Sequence, residues 1–448
     1  MTDTIAALAT PRGESALALI RISGPETRAV ASALLGRPPL PRRAVHADYF
    51  DVSGRLLDDA VFVFFQGPAS YTGEDSLEIS CHGGPYIVER ILEDLMNRGC
   101  RAAEPGEFSR RAFLNGRLDL SQAEAVMDLI RARSDRAVEA AHRQLRGALG
   151  RETQRLADAL LDVVAGVEAY IDFPEEDLPA EDRQRSLEAV REVARGAGRL
   201  LATGRYGSLV RDGVRVVLAG EPNAGKSSLL NRLIGYERAL VDAGPGTTRD
   251  FIEERVLLGA HSIRYLDTAG LRTGGDGVER AGMGKTLEQV ADADILLLVL
   301  DAARPFPTLP DPVLERASGG PTLVVWNKVD LAPAGRVPEA LTPLPSLSLC
   351  ARTGQGLEAL QAAILEWVES SRIEIGDEVI AISVRHEHAL QGMHECLARA
   401  EAKLAEDEDL ELIASDLRGA IDCLGLITGR IDNEAVLDHL FASFCIGK

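Results

Sequence analysis

Residues 220–228, Gly-Glu-Pro-Asn-Ala-Gly-Lys-Ser-Ser, have the types and spacing of a loop that cradles a polyphosphate. The apolar run at 214–219 predicts a strand entering the loop, and the pattern beginning at Leu229 and Leu230 predicts a helix leaving it. Glycines at 220 and 225 let backbone N–H groups turn toward the ligand. The helix N-terminus adds the positive end of its dipole, and Lys226 supplies a point charge. Ser227 offers its hydroxyl to magnesium. A glycine-rich turn that binds nothing is the alternative, and the complete GxxxxGKS pattern between strand and helix speaks against it.

Downstream segments choose the nucleotide. Asp267-Thr268-Ala269-Gly270 ends a predicted strand at 263–266, which sets a carboxylate near the metal and a glycine N–H near the γ-phosphate. Asn327-Lys328-Val329-Asp330 ends another strand at 322–325. A carboxylate at Asp330 can accept both the N1–H and the N2–H of guanine, so the chain is expected to take GTP over ATP; a charged acceptor left unpaired by the wrong base discriminates strongly. Cys350-Ala351-Arg352, after the strand-like 347–349, stands in the place of a second base-contacting loop, where serine is the more usual first residue. Gly246-Thr247-Thr248-Arg249-Asp250 lies at the interval of a switch loop, and Thr248 is expected to complete the magnesium shell.

The elements that must hold these residues can be read more coarsely. The 448 residues are 46% hydrophobic and 4% aromatic, a globular composition with ample core and a length suited to about two to four domains. No stretch reaches the ~20 apolar residues of a membrane span. Pro11-Arg12-Gly13-Glu14 breaks the N-terminal pattern where a signal peptide would be continuous, so a cytoplasmic protein without stable membrane insertion is expected. Cysteines 81, 100, 350, 396, 423 and 445 form no Cys-x-x-Cys pair and imply neither a disulfide framework nor a metal centre. The net charge of −20 disfavours nonspecific nucleic-acid binding. Residues 101–155 nevertheless hold eleven arginines against eight acidic residues, a stretch that either meets phosphates or forms solvated helix faces.

Short β-like runs at 16–22, 60–65 and 76–80, with a helical pattern at 87–98, describe a small α+β domain over 1–117. From Ser121, read as an N-cap, a helical period continues to Ile171 and is broken by the proline- and acid-rich 174–179. Helical pattern fills 118–210 and returns over 372–448, with the nucleotide-binding stretch 211–371 between them. Because domain termini commonly lie close together, the expected fold is multidomain, α+β and α/β, with a Ras-like P-loop G domain inserted into a helical domain.

The residue after Gly270 is Leu271, where Ras-like switches carry a water-positioning glutamine. Glu279 is a nearby polar candidate for that work, and from local sequence alone an exposed carboxylate at a helix start fits it better. Cys81-His82-Gly83-Gly84 reads as a structural turn, for want of a partner base, and His386, His388 and His394 read as surface helix.

The phosphate loop, the Gly-Thr-Thr-Arg-Asp switch, Asp-Thr-Ala-Gly-Leu-Arg followed by Val278-Glu279-Arg280, and the ending Phe444-Cys445-Ile446-Gly447-Lys448 closely resemble the tRNA modification GTPase MnmE (TrmE) family. Tyr71-Thr72-Gly73-Glu74-Asp75, His82-Gly83-Gly84-Pro85, Pro105-Gly106-Glu107-Phe108 and Ala112-Phe113-Leu114-Asn115 extend the resemblance over the whole chain. The resemblance implies an N-terminal folate-binding domain that dimerises, a helical domain and the inserted G domain. It implies a potassium-activated GTPase that modifies C5 of the tRNA wobble uridine with an FAD-dependent MnmG (GidA) partner, using a one-carbon unit from 5,10-methylene- or 5-formyl-tetrahydrofolate. GTP contacts are implied at Asn223, Ala224, Gly225, Lys226, Ser227 and Ser228, and across the loop Asp242, Ala243, Gly244, Pro245, Gly246, Thr247 and Thr248. Asp267, Thr268, Ala269, Gly270, Asn327, Lys328, Asp330, Cys350, Ala351 and Arg352 complete them. Ser227 and Thr248 would hold magnesium, and Asn223, Asp242, Gly244 and Thr247 potassium. Glu279 becomes the preferred water-positioning residue. Arg21, Glu78, Arg117 and Lys448 are the implied folate contacts, with arginine at 117 where the family more often has lysine, and Cys445 is a candidate reactive thiol. A ribosome-assembly GTPase, which shares the G-domain signatures, is the competing reading.

Overall fold

The computed structural model describes residues 3–172, 179–236, 238–239, 253–268, 286–335, 341–371, 380–406, 409–430, 434–442, 444 and 447. The chain divides into two compact units. One comprises Met1–Met127, Leu145–Val190 and Glu395–Lys448; the other comprises Asp128–Gln144 and Arg191–His394.

The first unit is built on a sheet of β1 (Ile5–Leu8), β2 (Ser15–Ser23), β3 (Ala44–Phe50), β4 (Leu56–Phe65), β5 (Ser76–Gly83) and β6 (Arg101–Ala102), in the order β3-β4-β5-β2-β1-β6. Alternation sets its buried face. Ile20 and Ile22 of β2 and Leu77 and Ile79 of β5 point into a core shared with Ala31 and with Ile91 and Leu95, from the helices Thr27–Leu35 and Pro85–Asn97. The antiparallel register pairs Arg21 with Glu78. In the same unit the helices Ala148–Asp172 and Leu410–Thr428 pack on each other through Leu156, Leu160 and Val167 and through Leu417, Leu424 and Ile427. The three- and four-residue spacing gives each helix one apolar stripe, and each such buried aliphatic side chain stabilises by about 1.5–3 kcal/mol.

The predicted continuous helix from Ser121 is three helices, Leu120–Arg131, Asp135–Leu145 and Ala148–Asp172. Asp119, not Ser121, is the cap: its Oδ1 accepts from Gln122 N at 2.8 Å while Gln122 Oε1 accepts from Asp119 N at 2.9 Å. This reciprocal box satisfies two donors that a serine two residues later cannot reach. Ser134 Oγ caps the second helix by accepting from Ala137 N, and Gly147, at φ 80°, turns the chain into the third.

The second unit carries β7 (Val214–Ala219), β8 (Arg238–Ala239), β9 (Glu253–Leu258), β10 (His261–Asp267), β11 (Ile295–Asp301), β12 (Thr322–Asn327) and β13 (Ser346–Ser348), in the order β13-β12-β11-β7-β10-β9-β8. Pairings from β13 through β10 are parallel; β9 and β8 are antiparallel additions. Val216, Leu218, Val299 and Val325 face one apolar cluster with Leu230 and Ile364, while Val217, Leu298 and Val324 face another with Val313 and Leu309. All seven residues of β11 are buried, as a parallel strand covered on both faces requires. In such a sheet the ligand crevice lies outside the carboxyl ends of the strands, where β7, β10 and β12 deliver residues 220–228, Asp267 and 327–330.

Candidate nucleotide site

The phosphate loop leaves β7 through Gly220, at φ 149°, and enters the helix Lys226–Tyr236 through Gly225, at φ 95°. A Cβ at 220 would overlap Val299 O, and one at 225 would overlap the side-chain amide of Asn327. The loop can therefore close on its neighbours only with glycine at both positions. Lys226 is buried, and its Nζ donates to the carbonyls of Gly220 at 3.0 Å and Glu221 at 2.9 Å, which holds the ammonium across the mouth of the loop. Burial lowers its pKa, against the opposing influence of Asp267 and Glu221.

Ser227 Oγ donates to Asp267 Oδ2 at 2.5 Å, so the two expected metal-side groups meet. Asp267 Oδ1 is buried with no hydrogen-bond partner among the described residues. A hydroxyl beside a carboxylate with an unsatisfied oxygen is the donor set a hard oxygen-seeking cation takes, and the residues present fit magnesium. Thr268 anchors the end of β10 by donating through Oγ1 to Leu218 O at 2.7 Å.

Asn327, expected to touch the nucleotide, has its amide committed within the protein. Nδ2 donates to Ala224 O at 2.9 Å and Oδ1 accepts from Ala351 N at 3.0 Å, which staples the phosphate loop to the 350–352 loop. Lys328 Nζ donates to Asn223 O and to Asp301 Oδ2, both at 2.7 Å. Burial works against the charge on Asp301, but the Lys328 ammonium holds its carboxyl below the ordinary carboxylate range. Asp301 escaped the sequence reading; a lone carboxylate ending the apolar run at 295–300 is the signal that marks it. Asp330 Oδ1 accepts from Cys350 Sγ at 3.1 Å and Oδ2 from Arg352 Nη2 at 2.7 Å. The Cys350 thiol and then Arg352 hold this carboxyl in its charged form. Cysteine at 350 thus keeps a donor on the carboxylate expected to read the base. Asn223 sits at φ 66° with an exposed side chain, and Ser228 is exposed on the first helical turn.

In the first unit a second cluster forms. Arg21 donates to Glu78 Oε1 from Nε at 3.1 Å and Nη2 at 2.7 Å, and Nη1 reaches Gly447 O at 3.4 Å. Its guanidinium lies 5.5 Å from the Tyr71 ring centre and 5.9 Å from that of Phe108, two residues of the resembling segments to which the sequence assigned no contact. Gly447, at φ 93°, lies so close to Leu8 and Ala9 that a Cβ would overlap Leu8 O. Phe444 is buried against Phe441, its ring 5.2 Å away edge to face. Arg117 is exposed, its stem beside Gly73, in a loop that Asn115 ties down by donating to Thr72 O at 2.7 Å.

The family model described as "MnmE helical domain" matches residues 120–445, and "GTP-binding protein TrmE N-terminus" matches 4–117. The chain is 56% identical over 450 residues to the tRNA modification GTPase MnmE of Opitutus terrae, covering 100% of this chain and 99% of that protein. The chain belongs to the tRNA modification GTPase MnmE family. It is 43% identical over 457 residues to the Akkermansia muciniphila MnmE, with each chain covered to 100%. Among solved structures, the G domain of the T. maritima FeoB iron transporter is 28% identical over 34% of this chain and 98% of that one, with a TM-score of 0.27.

Of the residues the MnmE resemblance singled out, Asp242, Ala243, Gly244, Pro245, Gly246, Thr247, Thr248, Ala269, Gly270, Glu279, Cys445 and Lys448 lie outside the described residues. His386 departs from the surface position expected of it. It is fully buried, with Nδ1 accepting from Ser383 N at 3.0 Å and Nε2 against Arg385 Nη2 at 2.8 Å, where it secures the start of the helix Val384–Glu406. Cys81, His82 and Gly83 end the strand β5 and do not form the turn expected of them; Cys81 is buried there, and its thiol is pushed up to about 11, which does not suit a nucleophile. No helix among the described residues is long and apolar enough to cross a membrane.

Proposed function

We propose that the chain couples GTP hydrolysis to modification of C5 of the wobble uridine in tRNA, installing a carboxymethylaminomethyl or aminomethyl group. Membership of the family makes it a GTP-hydrolysing enzyme of tRNA modification. In this reading the chain is a cytoplasmic homodimer that works with an FAD-dependent MnmG partner and a tetrahydrofolate one-carbon donor. It is divided into 1–117, 118–210, 211–371 and 372–448.

One observation carries the nucleotide half: at the carboxyl end of the sheet, Asn327 ties the phosphate loop to the loop that braces Asp330. A single amide thereby sets the distance between phosphate and guanine recognition. Ser227 and Thr248 hold magnesium, which when bound neutralises charge on the β- and γ-phosphates. Asn223, Asp242, Gly244 and Thr247 hold potassium, and Glu279 orients the attacking water. The meeting of Arg21, Glu78 and Gly447 supports the folate half, since a donor-rich pterin head suits Glu78 and a carboxylate tail suits Arg21, Arg117 and Lys448.

Mass spectrometry of tRNA nucleosides from cells lacking the protein tests the reading. The modified wobble nucleoside is expected to vanish and to return with the wild-type chain but not with Asp330→Asn. An unchanged nucleoside profile would overturn it and leave a ribosome-assembly role as the better account.

A further inference from the structure

The fold places the arginines of the stretch 101–155 in different surroundings. Arg101, Arg110, Arg111 and Arg136 are committed to carboxylates. Arg111 is the extreme case, a fully buried guanidinium among Asp3, Glu74 and Glu107. Arg146, Arg151 and Arg155 line, with Arg430, a cavity of about 980 Å³ in the first unit, where Arg151 also donates to Arg146 O at 2.7 Å.

Local structure explains this placement. Arg151 and Arg155 are four residues apart and share a face of the helix Ala148–Asp172. Arg146 precedes the Gly147 turn into that helix, and Arg430 follows Gly429, the left-handed cap of the helix Leu410–Thr428. The first turn of Ala148–Asp172 carries no acidic residue of its own, and Asp119 Oδ2 lies against that turn beside Gly150. Two carboxylates line the cavity, and both have donors: Asp119 caps its helix, and Asp158 accepts from Gln154. Arg155 pairs with Glu152 at an exposed position. Among the described residues no carboxylate pairs with Arg146 or Arg430. Phe113 and the half-exposed Leu114 add apolar surface to the same cavity.

Guanidinium forks match phosphate oxygens, and phosphate-binding arginines beside apolar surface suit an unpaired nucleic-acid strand, whose bases are free to leave the stack. A duplex keeps its bases inside and offers nothing to Phe113 and Leu114. The cavity's lining also flanks one of the proposed folate contacts, Arg117. Gly116 and Leu118 line the cavity, and the intervening Arg117 lays its stem on Gly73, in the loop that carries Tyr71 beneath Arg21.

We propose that this cavity receives an unpaired stretch of the tRNA anticodon loop, its phosphates held by Arg146, Arg151, Arg155 and Arg430 next to the one-carbon site. The proposal rests on the tRNA reading above. Its test is fluorescence anisotropy of the full-length protein with a labelled anticodon stem-loop across a salt series, with a fully paired hairpin of the same length as the comparison. Arg146→Ala/Arg430→Ala is expected to weaken stem-loop binding on the order of tenfold and to flatten the slope of log affinity against log salt by about 1.5. Arg146→Lys/Arg430→Lys is expected to keep most of the slope, and because both side chains are exposed, melting should be unaltered in either variant. Stem-loop binding with unchanged affinity and slope in the alanine pair would overturn the cavity assignment, as would an equal loss for the paired hairpin. Failure of the wild-type chain to bind either RNA would instead sink the tRNA reading on which the assignment stands.

Discussion

Both oxygens of Asp330 are engaged before a base arrives, one by a buried thiol and one by an arginine that is 79% exposed. Arg352 belongs to a screened surface pair and can give way to guanine at little cost. Cys350 is a weak donor, so it orients the carboxylate without competing strongly for it. Asp330→Asn is therefore expected to weaken GTP binding by roughly a hundredfold or more and to improve xanthosine triphosphate, whose C2 carbonyl can accept from the new amide. Equal GTP affinity in the two proteins, measured by calorimetry, would remove Asp330 from the base site. A second residue-scale expectation concerns His82, whose Nδ1 lies 2.7 Å from Asp58 Oδ1. The hydrogen bond to Asp58, and then its charge, raise the histidine above its ordinary value of 6.5. A raised folded-state pKa stabilises fully below the unfolded value, and the stabilisation is lost as pH rises through the folded one. Histidine NMR titration should place His82 above 6.5 and bring it back toward that value in Asp58→Asn, with the stability difference between the two proteins shrinking from neutral pH upward.

At the scale of elements, the chain end is seated by close approach more than by attraction. Gly447 combines a positive φ with backbone contact to Leu8 and Ala9 at the end of β1. Gly447→Val adds a side chain where overlap and left-handed strain both oppose it, and the backbone term alone costs about 1–3 kcal/mol. Instead of bearing that cost the terminus is expected to lift away and take its carbonyl from Arg21. Calorimetry with 5-formyltetrahydrofolate should then show weakened binding while GTP affinity is retained. Unchanged folate affinity would confine that site to residues of the sheet. The Asn327 staple works by the same logic in the second unit. Its amide fits only because residue 225 lacks a Cβ, so the phosphate loop and the 350–352 loop are set as one body.

For the whole molecule, the proposed GTPase cycle requires a cation cage that a single phosphate loop does not complete. Single-turnover hydrolysis is expected to be faster in potassium than in sodium, and Asn223→Ala is expected to abolish the difference while leaving nucleotide affinity near that of the wild type. Identical rates in the two salts would remove the potassium role. The net charge of −20 makes the placement of basic residues decisive for an RNA substrate, because nonspecific attraction is weak.

By itself the sequence marked the segments that meet at the candidate nucleotide site. A phosphate loop, the carboxylate that follows the β10 strand and the Asn-Lys-Val-Asp run are contiguous patterns, and each sits at the end of a strand that its own apolar residues predict. The small α+β sheet was legible in part. The apolar runs that became β2 and β4 and the alternating run that became β5 are plain in the sequence, whereas β6 is two residues long and exists only because β1 pairs with it. Tertiary structure alone decided that Asn327 ties two loops together, that Arg111 is buried among carboxylates, and that His386 is interior. It alone joined Arg21 to Glu78 across 57 residues and to Gly447 across 426. Local periodicity encodes which face of an element is apolar, but a polar side chain's partners are set by strand register and chain reversal, and those follow from packing between segments far apart in the chain.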